Sequence, residues 1–356
     1  MIRKDTLVLI AFIVFFVSHL QSQITNAQID TIAKFIIGFP TNTEASIAIV
    51  NGKEVLYYGV KVENGKLIAE ANKDKVFEIG SVTKVFTSTL LANLVKADKV
   101  ALNTTIQECF IQPLSEKVKP ITLLQLANHT SGLPRLPEDL FQPDKTDMNN
   151  PYAHYEGKML EAYLSHQPTL ATTPGIQYAY SNLGAGLLGY ALEQKTGKNY
   201  EELLQEFLTN PYEMSSTTTE RSKVAEKLVL GQNAQGAVTS NWDLNALKGA
   251  GGVLSTVEDL SKLVRANFQP NAVLELQREK TFTLNPNMDI ALGWHIIKTQ
   301  SGKTWHWHDG GTGGYTSSLA MDVTGQQSVI ILTNISAFHS NMGNVDQLCF
   351  ALMRTL

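Results

Sequence analysis

The strand-forming patterns of this chain lie at its two ends. Ala45 to Val50 and Glu54 to Val62 alternate β-branched and aromatic residues on either side of Asn51-Gly52-Lys53, which predicts a hairpin. From Asp289 the pattern returns, in Ile290 to Lys298, Thr304 to His308, Tyr315 to Asp322 and Gln327 to Thr333. Between them, from about Leu102 to Asn285, the periodicity is helical and broken by long polar connections. Its clearest helices are Leu123 to Ala127, Glu156 to Ser165, Asn182 to Gln194, Tyr200 to Leu208 and Val257 to Ala266, the last with Ser255 and Glu258 as a capping box. Helical stretches at Ile29 to Ile37 and Val345 to Leu356 bracket the whole. This order predicts an α/β (α+β) fold: one sheet built from both chain ends, about 28–80 and 286–356, with a mostly helical lobe, about 81–285, inserted between. A cleft between the lobes is the expected site. No internal repeat or low-complexity linker divides the chain, so one folding unit is expected.

A chain of 356 residues that is 43% hydrophobic and 17% charged has material for a large core and is not a disordered polymer. Its 29 basic and 33 acidic residues include no basic run of the kind that grips nucleic acid. The first residues read as an export signal: Arg3 and Lys4, the apolar run Leu7 to Val17, then polar Ser18 to Gln23. The run is too short to span a bilayer, so cleavage is expected after Ser22 or Ala27, leaving a protein without a membrane anchor in the periplasm or secreted. Cys109 and Cys349 are the only cysteines; each precedes a Phe and a further apolar residue, which favours two buried thiols over a disulfide.

One stretch carries a candidate nucleophile. Phe77-Glu78-Ile79-Gly80-Ser81-Val82-Thr83-Lys84 runs into the apolar-periodic segment Val85 to Val95, which places Ser81 at a helix start with Lys84 one turn below. An amine kept neutral by its surroundings can relieve a serine hydroxyl of its proton. The unpaired N–H groups of the helix start favour an oxyanion there. The plainer reading is an N-cap serine and a solvated lysine, and the pattern's partners must decide.

Two further stretches qualify. Tyr180-Ser181-Asn182 sets a phenol, which near a cation loses its proton more easily, beside an amide able to grip a substrate amide; helix entry by capping is the alternative. In Trp305-His306-Trp307-His308-Asp309-Gly310-Gly311-Thr312-Gly313-Gly314, His306 and His308 share a strand face, but no third ligand is spaced for zinc, so no metal or other cofactor is expected. The glycines suggest a backbone edge close to something bound, with the Gly311 N–H as a second oxyanion donor.

Ser81-x-x-Lys84, Tyr180-x-Asn182 and His308-x-Gly310, in that order around a helical middle, resemble the serine β-lactamase and penicillin-binding protein superfamily, and within it the class C β-lactamases. Asn128-His129-Thr130-Ser131-Gly132-Leu133-Pro134 and Gly249-Ala250-Gly251-Gly252-Val253-Leu254-Ser255-Thr256 look like the same family, and the likeness covers essentially the whole mature chain. The resemblance implies a β-lactamase/transpeptidase-like fold with an antiparallel sheet. It also implies an acyl-Ser81 intermediate, with proton transfers shared by Lys84 and Tyr180. Asn182 would hold the substrate's amide side chain, and the N–H groups of Ser81 and Gly311 would form the oxyanion hole. The third motif departs from class C, where it begins with lysine: His308 is only partly charged near neutrality, and a histidine there looks like the family's peptidases and esterases. The expected substrate is thus a β-lactam, alternatively a D-alanyl-D-alanine peptide or an ester, taken by a monomer. A non-catalytic cell-wall binding or sensing protein is the reading of another class.

Overall fold

The structure is a computed structural model and describes residues 24–356 apart from Pro143 and Gln167; the export signal expected over 1–22 lies outside the described residues. Eleven strands are described: β1 (Glu44–Asn51), β2 (Glu54–Glu63), β3 (Lys66–Ala69), β4 (Phe77–Glu78), β5 (Leu254–Ser255), β6 (Phe282–Asn285), β7 (Met288–Ile290), β8 (His295–Lys298), β9 (Thr304–Gly311), β10 (Thr316–Asp322) and β11 (Gln327–Thr333). Nine form one antiparallel sheet in the order β3-β2-β1-β11-β10-β9-β8-β7-β6, and β4 pairs with β5 alone. The chain ends meet where β1 joins β11, with Ala48 opposite Ile330.

Helices α1 (Asn26–Ile36), α2 (Thr83–Lys96), α3 (Leu123–Ala127), α4 (Gly157–Ser165), α5 (Asn182–Thr196), α6 (Tyr200–Leu204), α7 (Lys248–Gly251), α8 (Val257–Asn267), α9 (Ala272–Arg278) and α10 (Asn344–Met353) cover both faces of the sheet. Strand alternation divides the core accordingly. Ile47, Ile49, Val329 and Ile331 pack under α1 and α10 with Ile32, Ile36, Leu348 and Leu352. Ala48, Val50, Ile330 and Leu332 face the helical side with Phe86, Leu90 and Leu260. With helices on both faces of the sheet, β1 and β11 are buried at nearly every position.

The structure departs from the sequence pattern at three places. The strand expected over Ile290 to Lys298 breaks at Gly293, whose φ of +71° and approach to the Lys84 carbonyl, where a Cβ would come within 2.5 Å, require glycine. Thr256, not Ser255, caps α8, accepting from Asp259 N at 3.0 Å. Ser255 is held in β5 opposite Phe77, so extended backbone runs one residue further. The helix expected to Leu208 is α-helical only to Leu204 and continues as a π-helical turn, Gln205–Thr209. Both cysteines are buried and free.

Candidate active site

Ser81 sits in a 3₁₀ turn, Gly80–Val82, that leads into α2. The short β4–β5 pair fixes the chain just before it. Two glycines bring β9 against this turn. Gly80 has φ +49°, and a Cβ there would lie 2.4 Å from Gly311 N; a Cβ on Gly310 would lie 2.1 Å from the Ile79 carbonyl. Ser317 Oγ donates to that carbonyl at 2.9 Å. What the glycines admit is therefore the serine turn itself, and the backbone of Gly311 ends beside Ser81. A small cleft opens there, lined by Ser81, Tyr152, Asn182, Trp242, Gly311 and Thr312 among others.

Lys84 is buried beneath the serine. Its Nζ lies 2.9 Å from Ser81 Oγ and 2.7 Å from the Ala250 carbonyl oxygen. Burial drives its pKa well below the ordinary lysine value, and the charge of Arg135 adds to this, while Asp309 opposes it. The solvated-lysine reading is thereby excluded: the amine is dry and faces the hydroxyl.

Tyr180 stands on the other side of that pair, with Lys84 Nζ 4.9 Å from the ring centroid. The expectation that the phenol ionises easily is not met. Burial pushes its pKa up, outweighing a hydrogen bond with Ser81, so the phenol keeps its proton. Ser181 caps α5, its Oγ accepting from Gly184 N at 2.8 Å and donating to the Pro134 carbonyl at 2.6 Å. The capping reading thus holds for Ser181, while the neighbouring Asn182 lines the cleft with a buried Oδ1 that has no hydrogen-bond partner.

His308 lies on the helix-facing side of β9, opposite Leu319 of β10. Its Nδ1 is 2.5 Å from the Asp309 carbonyl oxygen, which can only accept, so Nδ1 carries the proton. Nε2 is then a bare acceptor, buried and unpartnered. Burial, with the nearby Lys84, brings the imidazole pKa down to about 3, so the position is neutral at physiological pH. His306 shares the strand face, as the alternation predicts, but packs on Trp294. Among the described residues no group of three His, Cys, Asp or Glu side chains could hold a metal.

Four residues to which the sequence reading gave no role complete the surroundings. His129, at φ +59°, stacks on Tyr180 with centroids 4.4 Å apart, and its Nδ1 accepts from Ser181 N at 3.2 Å. Tyr178 Oη and His295 Nε2 share a 2.9 Å hydrogen bond, and the His295 ring lies 5.3 Å from His308. The Arg135 guanidinium lies 5.1 Å from the Tyr180 ring centroid. His129 belongs to a stretch that marked the family. Tyr178 has a signal only in its spacing from Tyr180, and His295 reaches the site through the β8–β9 register, which sequence does not display.

Fold and site together are those of a serine hydrolase: a serine at a helix start in the cleft, with a dry amine against it. The chain belongs to the β-lactamase family, whose model, described as Beta-lactamase, matches residues 33–347. It is 31% identical over 272 residues, 70% of this chain and 68% of the relative, to the D-alanyl-D-alanine-carboxypeptidase/endopeptidase AmpH of Escherichia coli K12. It is 27% identical over 263 residues, again 70% and 68%, to a β-lactamase of Pseudomonas fluorescens. Among solved structures, a β-lactamase/D-alanine carboxypeptidase from Pseudomonas syringae superposes with a TM-score of 0.76 at 20% identity, covering 92% of this chain and 98% of that one. A class C β-lactamase gives 0.76 at 19%, covering 94% and 99%. The fold is the antiparallel β-lactamase/transpeptidase fold. Among the described residues no helix is long and apolar enough to cross a membrane.

Proposed function

We propose that the protein hydrolyses the amide bond of β-lactams, or of acyl-D-alanyl-D-alanine peptides of related shape, through an acyl-Ser81 intermediate. The observation that carries this reading is the Lys84 amine, buried and 2.9 Å from Ser81 Oγ. Its lone pair takes the hydroxyl proton as Oγ bonds to the carbonyl carbon. The N–H groups of Ser81 and Gly311 receive the negative charge on the carbonyl oxygen. Tyr180, kept protonated by burial, gives its proton to the leaving nitrogen as the C–N bond breaks, and regains one from the Lys84 ammonium. Water then attacks the ester, its proton returning through the same pair, and frees Ser81. The unpartnered Oδ1 of Asn182 accepts from the substrate's amide side chain.

β-Lactam hydrolysis is the first reading. His308 favours the second, peptide hydrolysis, because a histidine in place of the class C lysine resembles the family's peptidases; the 31% identical carboxypeptidase/endopeptidase supports the same choice. A chromogenic cephalosporin, a D-Ala-D-Ala peptide and a short-chain ester assayed in parallel would decide. Turnover of at least one, with acyl-Ser81 seen by mass spectrometry and lost in Ser81→Ala, is expected. No turnover and no acylation would leave the non-catalytic reading. An exported, monomeric protein remains part of the proposal, to be checked by fractionation and by light scattering.

A further inference from the structure

Both substrate classes carry a carboxylate beside the scissile amide, yet two basic groups at the site are poorly placed to answer it. Lys84 is buried, which disfavours its charged form, and is engaged with Ser81 and Ala250, and His308 presents a bare acceptor nitrogen. Arg135 is the cation left at the site. It is exposed, and its backbone is fixed to the turn that carries Tyr180 and Asn182. The Arg135 carbonyl accepts from Asn182 N at 2.9 Å and from Leu183 N at 3.1 Å, and the Pro134 carbonyl accepts from Ser181 Oγ. The guanidinium lies one ring from the serine, against a Tyr180 phenol hydrogen-bonded to Ser81. Among the described residues it has no carboxylate within ion-pair distance.

We propose that Arg135 receives the substrate's free carboxylate, taking over the recognition that a lysine at position 308 would supply. A planar guanidinium with a pinned backbone and unengaged N–H donors suits a bidentate grip on a carboxylate. The inference rests on the acyl-Ser81 reading, and the experiment separates the two. The ratio of kcat/KM for a penicillin over its methyl ester, and for an acyl-D-Ala-D-Ala peptide over its C-terminal amide, is measured in the wild type, Arg135→Gln and Arg135→Lys. Wild type should favour the carboxylate of whichever pair it turns over. Arg135→Gln should lower that ratio about tenfold, the loss of one charged hydrogen bond, and Arg135→Lys should restore most of it. Using a ratio cancels any common effect of repacking Tyr180. A ratio unchanged in Arg135→Gln, or a wild type without preference for the carboxylate while Ser81 is acylated, overturns this inference and leaves the hydrolase reading standing. Absence of Ser81 acylation by all four compounds overturns both.

Discussion

The two walls of the cleft differ in how much of their polar capacity is already used. On the Ser81 wall the Lys84 amine has two partners, the Ile79 carbonyl accepts from Ser317, and Thr83 Oγ1 accepts from Val253 N at 3.1 Å. Across from it, Asn182 Oδ1 at the start of α5 is buried with no partner and Arg135 projects without a counter-ion, and on β9 His308 Nε2 is likewise buried and unpartnered. Unsatisfied buried polar atoms cost free energy unless something bound completes them. The first wall is therefore preorganised for bond making, and the second is left open for the substrate to satisfy.

If that division is right, changes on the first wall act on chemistry whatever the substrate. Lys84→Ala should slow Ser81 acylation about 10²–10⁴-fold, the range for removing a positioned proton acceptor, with the fold kept. Stopped-flow acylation and circular dichroism check this; full activity would remove Lys84 from the mechanism. Gly310→Ala comes next, because its Cβ would lie 2.1 Å from the Ile79 carbonyl. Overpacking of about 1–3 kcal/mol is expected, visible in chemical denaturation, together with a fall in kcat for every substrate as the serine turn shifts.

Changes on the second wall should discriminate between substrates. Asn182→Ala should lower kcat/KM about tenfold more for acyl donors with an amide side chain than for those without, since an acceptor is lost only where a donor faces it. Equal losses for both would break the comparison. The smallest effect concerns pH. His308, with a folded pKa of about 3, binds fewer protons than in the unfolded chain, so its contribution is present above about 6.5, the ordinary histidine value, and is lost as pH falls toward 3. His295 and His306, both near 4, act in the same sense. His308→Gln should make the acid limb of the stability curve shallower, as followed by thermal unfolding between pH 4 and 7; a steeper limb would contradict the neutral assignment.

The sequence displayed what depends on local pattern. The β1–β2 hairpin, the strands β9 to β11 and the Ser81, Tyr180 and His308 stretches follow from alternation, turn chemistry and three ordered motifs, whereas β6 falls in the stretch whose pattern predicts helix. It hid what depends on pairing across the chain. β3 is four residues long and mostly exposed, and β4 with β5 is a two-residue contact in which Phe77 meets Ser255, 178 positions further on. The state of Tyr180 is hidden for the same reason: proximity to a cation is legible, while the burial that outweighs it is a property of the packed site. The glycines of β9 suggest a backbone edge close to something bound, whereas what approaches them is the protein's own Gly80 turn, visible only once β9 is laid against it.

The central claim is that Lys84 is a neutral amine aimed at Ser81. Titration of its ε-carbon by NMR, in protein carrying ¹³C-labelled lysine and with Lys84→Ala to assign the signal, measures this directly, alongside the pH dependence of acylation. The account predicts that Lys84 loses its proton well below the ordinary lysine range, and that the acylation rate falls as pH drops through that same transition. A Lys84 that titrates near 10.4, the value of an unperturbed lysine, with acylation already at its plateau near neutrality, would contradict it.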